Sequence, residues 1–201
     1  SQFIADKMIQ GGFDKSKMHT LCNFIDVEKC EEADYLKKDY YCYIGRISHE
    51  KGIKTLITAA NRLPRKLVII GKGSLDAEMK KLAGPNVEFA GFKQWNEIKR
   101  IVGQARFCVI PSECYENNPL SVIESQCLGT PVLGAQIGGI PELIQEGCNG
   151  LHFRSRDTDD LTAKIQAMYD APFDYPSIAL EAKKRYNSET YYKQLIQLYN
   201  L

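Results

Sequence analysis

Residues 107–124 read FCVIPSECYENNPLSVIE, and the order of events in this stretch decides the fold. An apolar run, Phe107 to Ile110, stops at Pro111. A polar loop follows, and Asn118-Pro119 then opens a segment with helical spacing. Asparagine before a helix and proline at its first position satisfy, respectively, a free N–H group and the φ angle the first turn requires. The spacing places Leu120, Ile123, Cys127 and Leu128 on one apolar face. A short continuous apolar run, a loop and then a helix is the repeating unit of a sheet covered on both sides.

Working outward, the same unit recurs. Apolar runs stand at Tyr41–Ile44, Lys66–Ile70, Val87–Ala90 and Pro131–Leu133, with a weaker one at Gly150–Phe153. Between them lie stretches of helical period, such as Ile53, Leu56, Ile57, Ala60 and Leu63, or Ile98, Ile101, Val102 and Ala105. Strand and helix in alternation predict an α/β fold, a doubly wound, Rossmann-like parallel sheet with right-handed crossovers. Residues 157–201 carry only helical signals. Upstream, Gln2 to Gly11 reads as a helix, Lys17 to Cys22 as a possible strand, Glu28 to Lys37 as a charged connector, and Pro141 as the start of a further helix.

Composition excludes several classes. The formal net charge of the 201 residues is +1, so no global field attracts nucleic acid or anionic lipid. Any bound anion must be held locally. The seven cysteines are odd in number and form no C-x-x-C pair, which points to buried thiols in a reducing compartment rather than a disulfide framework or zinc site. His19, His49 and His152 have no partner at metal-ligand spacing.

In open parallel sheets ligands sit outside the carboxyl ends of the strands. After the first run stands Gly45-Arg46, with Lys51-Gly52 at the next helix. A cation at a helix start opposes the dipole by a few tenths to about 1 kcal/mol, unless an anion occupies that end. Arg46 and Lys51 can therefore clamp a diphosphate, although two solvated cations with Glu50 as partner explain them equally well. Gly71-Lys-Gly73 lacks the third glycine of a dinucleotide fingerprint and reads as a tight turn. In the deciding stretch, Glu124 falls inside the apolar face, where an ionised carboxylate costs several kcal/mol unless it is hydrogen-bonded. A salt bridge at the core edge would satisfy it. So would ligand hydroxyls, and Glu116 in the loop before the helix favours the latter. The Asn117, Asn118 and Leu120 amides lie at the helix start, where they can meet phosphate or sugar oxygens. Gly138-Gly139 is equally a plain turn or a ligand contact.

Gly45-Arg46 with Lys51-Gly52, and Glu116-x7-Glu124 leading into Gly129-Thr-Pro-Val132 and Gly138-Gly-Ile-Pro-Glu142, resemble the group 1 (family 4-like) retaining glycosyltransferases of GT-B type. The resemblance runs through nearly the whole chain. It implies the C-terminal, nucleotide-sugar-binding half of a GT-B fold: residues 1–26 as the end of the acceptor half and the linker (Asn23-Phe-Ile-Asp26), 27–186 as the donor domain, and 187–201 as the helix that crosses back. By the same resemblance, Arg46 and Lys51 hold the diphosphate and Glu116 contacts the transferred sugar. Glu124 binds the ribose hydroxyls, and Gly91-Phe92 lie near the base. Gly45, Asn117, Asn118, Pro119 and Leu120 line the donor. Many members have a glycine-rich step after the first glutamate, where this chain has Asn117-Asn118-Pro119.

The implied activity is transfer of a hexose, with retention, from a nucleoside-diphosphate sugar to a glycan or lipid-linked acceptor. The implied enzyme is cytoplasmic, its full-length form open to peripheral attachment at the inner membrane face. No cofactor or metal is expected, because the two cations do the work of Mg²⁺. The acceptor half is expected to be missing, and the fragment to bind donor without transferring sugar. Three alternatives stay open: a non-catalytic nucleotide-sugar-binding module, a GT-B-type epimerase, and an NAD-dependent oxidoreductase, against which the incomplete glycine pattern counts.

Overall fold

The computed structural model describes residues 1–30 and 35–199. Parts of two sequence expectations, the charged connector and the end of the last helix, fall on residues 31–34 and 200–201 and lie outside that description. Six parallel strands form one sheet: β1 (Tyr40–Ile44), β2 (Lys66–Ile70), β3 (Val87–Gly91), β4 (Cys108–Ile110), β5 (Val132–Ala135) and β6 (Gly150–Phe153). Their spatial order is β3-β2-β1-β4-β5-β6. Strand order therefore reverses between β1 and β4, which pair through Cys42 and Cys108. The loops that leave those two strands diverge there and open a crevice.

Both faces of the sheet are covered, which explains the unbroken apolar runs. Alternate side chains feed two cores. Tyr41, Tyr43, Leu67, Ile69, Phe107 and Val109 point to one face and pack under α2 (Ile53–Ala60), α3 (Asp76–Leu82) and α6 (Thr158–Asp170). On the other, Cys42, Val68, Ile70, Cys108, Ile110 and Val132 meet α4 (Trp95–Gln104), α5 (Leu120–Cys127) and α7 (Tyr175–Arg185). The last described helix is α8 (Ser188–Tyr199), and α1 (Gln2–Gln10) stands before β1.

Four expectations change. Lys17 to Cys22 form no strand. Asp14 instead caps a 3-10 turn at Lys15–Lys17 by accepting from the Ser16 amide at 2.9 Å, and the chain beyond it does not pair with the sheet. Pro141 begins no α-helix. Only a four-residue 3-10 turn, Ile140–Leu143, forms before the extended Ile144, because the chain must return to β6 within a few residues. Helix α5 begins one residue later than the sequence suggests, with Pro119 as its N-cap at φ −67°, ψ 122°. Leu120, the first residue of α5, is 45% exposed, while Ile123, Cys127 and Leu128 are buried as expected.

One glycine fixes the crevice wall. Gly52 joins the 3-10 turn His49–Lys51 to α2 at φ 66°, and a Cβ there would lie 1.9 Å from the Pro111 carbonyl oxygen. The loop after β1 thus lies against the end of β4 with no room for a side chain. Gly52→Ala combines a left-handed conformation with a backbone clash. It is expected to lower stability by about 1–3 kcal/mol or more, read as a drop in the urea midpoint with an unchanged slope.

Candidate functional site

The two loops that diverge at β1 and β4 carry the candidate residues. After β1, the Gly45 amide donates to the Ile70 carbonyl at 3.1 Å, and the Tyr43 hydroxyl donates to the Arg46 carbonyl at 2.6 Å. This backbone is held, while the Arg46 side chain is 73% exposed and lies 3.4 Å from Glu50. Ser48 donates to the same Glu50 oxygen at 2.7 Å, and the Glu50 carbonyl accepts from the Glu113 amide at 2.9 Å, which ties the loop to its neighbour after β4.

Lys51 and Glu116 form a direct ion pair across the crevice, with side chains 23% and 16% exposed. Ser112 donates to the same Glu116 oxygen at 2.9 Å. Of the sequence-predicted residues, these two are in contact, and Arg46 stands on the same loop as Lys51. In a partly buried pair each charge satisfies the other, so removing either partner strands its companion at a cost well above that of a surface pair.

Glu124 stands on the second turn of α5 and is half-buried. Among the described residues it has no hydrogen-bond or ion-pair partner, so the core-edge salt bridge considered from sequence is not formed. Burial alone raises its pKa above the ordinary value. Its neighbourhood includes the Cys30, Cys108 and Cys127 thiols. An uncompensated carboxylate in this position is destabilising until something hydrogen-bonds it.

The other candidates divide. Asn117 accepts at its side-chain oxygen from Ser1, through both the backbone nitrogen (2.8 Å) and the hydroxyl (2.9 Å). Asn118 does not cap α5: it is buried, its side-chain oxygen accepts from the Asn23 amide at 2.9 Å and the Cys22 thiol at 3.3 Å, and its carbonyl accepts from the Asn23 side chain at 2.9 Å. Pro119 and Leu120 form the lip of the helix. Gly91 ends β3 at φ 75°, and Phe92 beside it is 64% exposed. No contact joins this pair to Lys51 or Glu116.

Gly138 and Gly139 are in direct contact with the Glu116 segment. The Gly139 amide donates to the Glu116 carbonyl at 2.7 Å, and a Cβ on Gly139 would fall 1.9 Å from the Asn117 carbonyl. Asp157-Thr-Asp159 has D-x-D spacing, but both acids are committed: Asp157 caps α6 and pairs with Arg154 at 2.9 Å, and Asp159 pairs with Arg62. Among the described residues, no group of three or more His, Cys, Asp or Glu side chains is arranged as metal ligands. Nor is any helix long and apolar enough to cross a membrane.

The doubly wound sheet thus carries a cation–carboxylate pair at its switch point and a second acid on the helix that follows. The chain belongs to the family described as glycosyl transferases group 1, whose model matches residues 25–191. Among curated relatives, it is 32% identical over 137 residues to the sulfoquinovosyl transferase SQD2 of Arabidopsis thaliana, covering 66% of this chain and 27% of that protein. It is 30% identical over 157 residues to a glycogen synthase of Mycobacterium tuberculosis, covering 73% and 38%. The chain thus spans well under half the length of these relatives. Among solved structures, Anabaena HepE in complex with UDP superposes with a TM-score of 0.88 at 20% identity, over 100% of this chain and 62% of that one. The galactosyltransferase WaaB of the lipopolysaccharide outer core gives 0.85 at 17% identity, over 97% and 58%. These likenesses establish the fold.

The carboxyl of Glu124 provides a stability test. Because its folded-state pKa is raised, the stability it contributes is fully present below the unfolded value, about 4.3, and is lost as pH rises through the folded one. Glu124→Gln is therefore expected to raise the Tm of the ligand-free chain at pH 7, by about 2–4 °C for each kcal/mol recovered. The difference from wild type should vanish by about pH 4, and equal Tm values at both pH values would show that the carboxyl is satisfied.

Proposed function

We infer that this chain binds the donor of a glycosyl transfer, a nucleoside-diphosphate hexose, in the crevice between the loops after β1 and β4. The observation that carries the reading is the Lys51–Glu116 pair, with half-buried Glu124 unpartnered on the adjoining helix. Lys51 and Arg46 take the diphosphate, whose charge grows as the bond to the sugar breaks; fixed cations lower that barrier by electrostatic preorganisation. Glu116 turns from Lys51 toward hydroxyls of the transferred sugar. Glu124 accepts from the two ribose hydroxyls, which supply the hydrogen bonds it lacks. Gly91 and Phe92 border the base, and the free amides around Asn117–Leu120 meet phosphate or sugar oxygens. With two cations at the leaving group, the reaction proceeds without a metal or other cofactor.

In the whole enzyme the hexose passes with retention to a glycan or lipid-linked acceptor, held by the part of the relatives' length that this chain does not span. The chain alone is expected to bind donor and not to transfer sugar. The seven free thiols suit a reducing, cytoplasmic setting, where the full-length enzyme can attach peripherally to the inner membrane face.

Calorimetric titration with UDP, GDP and ADP tests the reading; UDP, carried by the solved HepE, is the first to try. Charge-assisted hydrogen bonds are worth roughly 1.5–3 kcal/mol. Lys51→Ala and Glu124→Ala should therefore each weaken the nucleotide that binds by about tenfold or more. Undiminished affinity in both folded variants would overturn the site. Transfer by the isolated chain to an added acceptor would overturn the division of labour.

A further inference from the structure

Helix α1 stands before β1, yet its first turn rests on the loops of the candidate site. Gln2 and Phe3 donate their backbone N–H groups to the two carboxylate oxygens of Glu142, at 2.8 and 2.7 Å. Ser1 donates to Asn117. The Phe3 ring meets the Tyr115 ring edge-on, with centroids 4.7 Å apart, and the Lys7 ammonium lies 5.7 and 5.9 Å from the two rings. Read locally, Glu142 is only an acid in the first turn of its own helix. That helix is a four-residue 3-10 turn, and the carboxylate instead serves the free donors of a helix about 140 residues away, a charge-assisted contact that also complements the α1 dipole.

All three α1 contacts converge on Glu116. Tyr115 and Asn117 flank it in sequence, and the loop that ends in Glu142 holds its carbonyl through the Gly139 amide at 2.7 Å. We propose that Glu142, with Tyr115 and Asn117, is a latch: it seats α1 on the donor loops and thereby fixes the backbone of Glu116 where its carboxylate reaches the sugar. Glu142 is a positioning residue, acting through Glu116. The proposal rests on the reading that Glu116 faces the transferred hexose and the nucleotide lies elsewhere. Loss of the latch then affects the sugar contribution to binding and spares the nucleotide contribution.

The test compares wild type, Glu142→Ala and Glu142→Gln, all as the 201-residue chain. Each is titrated with the nucleoside diphosphate that wild type binds and with its hexose conjugate, UDP-glucose, GDP-mannose or ADP-glucose. Amide exchange of Gln2 and Phe3 is followed by NMR. Nucleotide affinity is expected to stay within about twofold in all three, whereas the preference for the conjugate over the bare nucleotide falls about tenfold in Glu142→Ala. Glu142→Gln, which keeps one acceptor oxygen, should recover part of it. In wild type the conjugate, but not the bare nucleotide, should slow exchange of the two amides. A folded Glu142→Ala that keeps the full preference while its α1 amides exchange freely overturns the latch alone, as does a wild type that binds both ligands equally. A wild type that binds no nucleotide overturns the proposed function and the latch together.

Discussion

Charge balance at the point where strand order reverses governs this structure. A parallel sheet must part its loops somewhere, and here they part between β1 and β4, leaving polar backbone and a lysine facing a glutamate. At this exposure, removing either charge would leave the other uncompensated at a substantial cost in stability. The pair ties the two walls of the crevice together. In the proposed function it offers one partner to each half of the donor, a cation to the diphosphate and a carboxylate to the sugar. The supporting contacts (Ser112 on Glu116, Tyr43 on the Arg46 carbonyl, Glu113 on Glu50) make the geometry a property of the loops rather than of two flexible side chains.

Glu124 is the opposite case. It is half-buried beside the core with no protein partner among the described residues, and burial raises its pKa. Groups whose pKa burial has shifted cluster at functional sites, which is why the proposed function gives this carboxyl the ribose hydroxyls.

The sheet was legible because strands covered on both faces need no alternation. Lys66–Ile70 reads as a strand to the residue, and the switch from short apolar runs to helical period marks each crossover. The acid on α5 was equally legible, since a carboxylate inside an apolar stripe demands a reason. What stayed hidden was non-local. Nothing in the spacing of Lys51 and Glu116 says that they touch. Asn118 fits a helix cap so well by local chemistry that its commitment to the distant Asn23 could not be anticipated. Glu142 reads from sequence as an acid in the first turn of a helix starting at Pro141, where it suits the dipole, and that concealed its contact with α1. Leu120 has the right period for burial but is the first residue of α5 and stays exposed, and periodicity does not report which end of a helical face reaches solvent.

The two asparagines have a consequence for the chain before β1. Ser1 is held by Asn117 and Asn23 by Asn118, so the intervening excursion leaves and returns at adjacent residues of one loop. It is a ring closed by side chains. The entropy of such a closure grows only logarithmically with contour length, about 0.6 kcal/mol for each doubling. The far side of the ring, around exposed Phe13, can accordingly lengthen or shorten at little cost while both ends keep their grip beside Glu116.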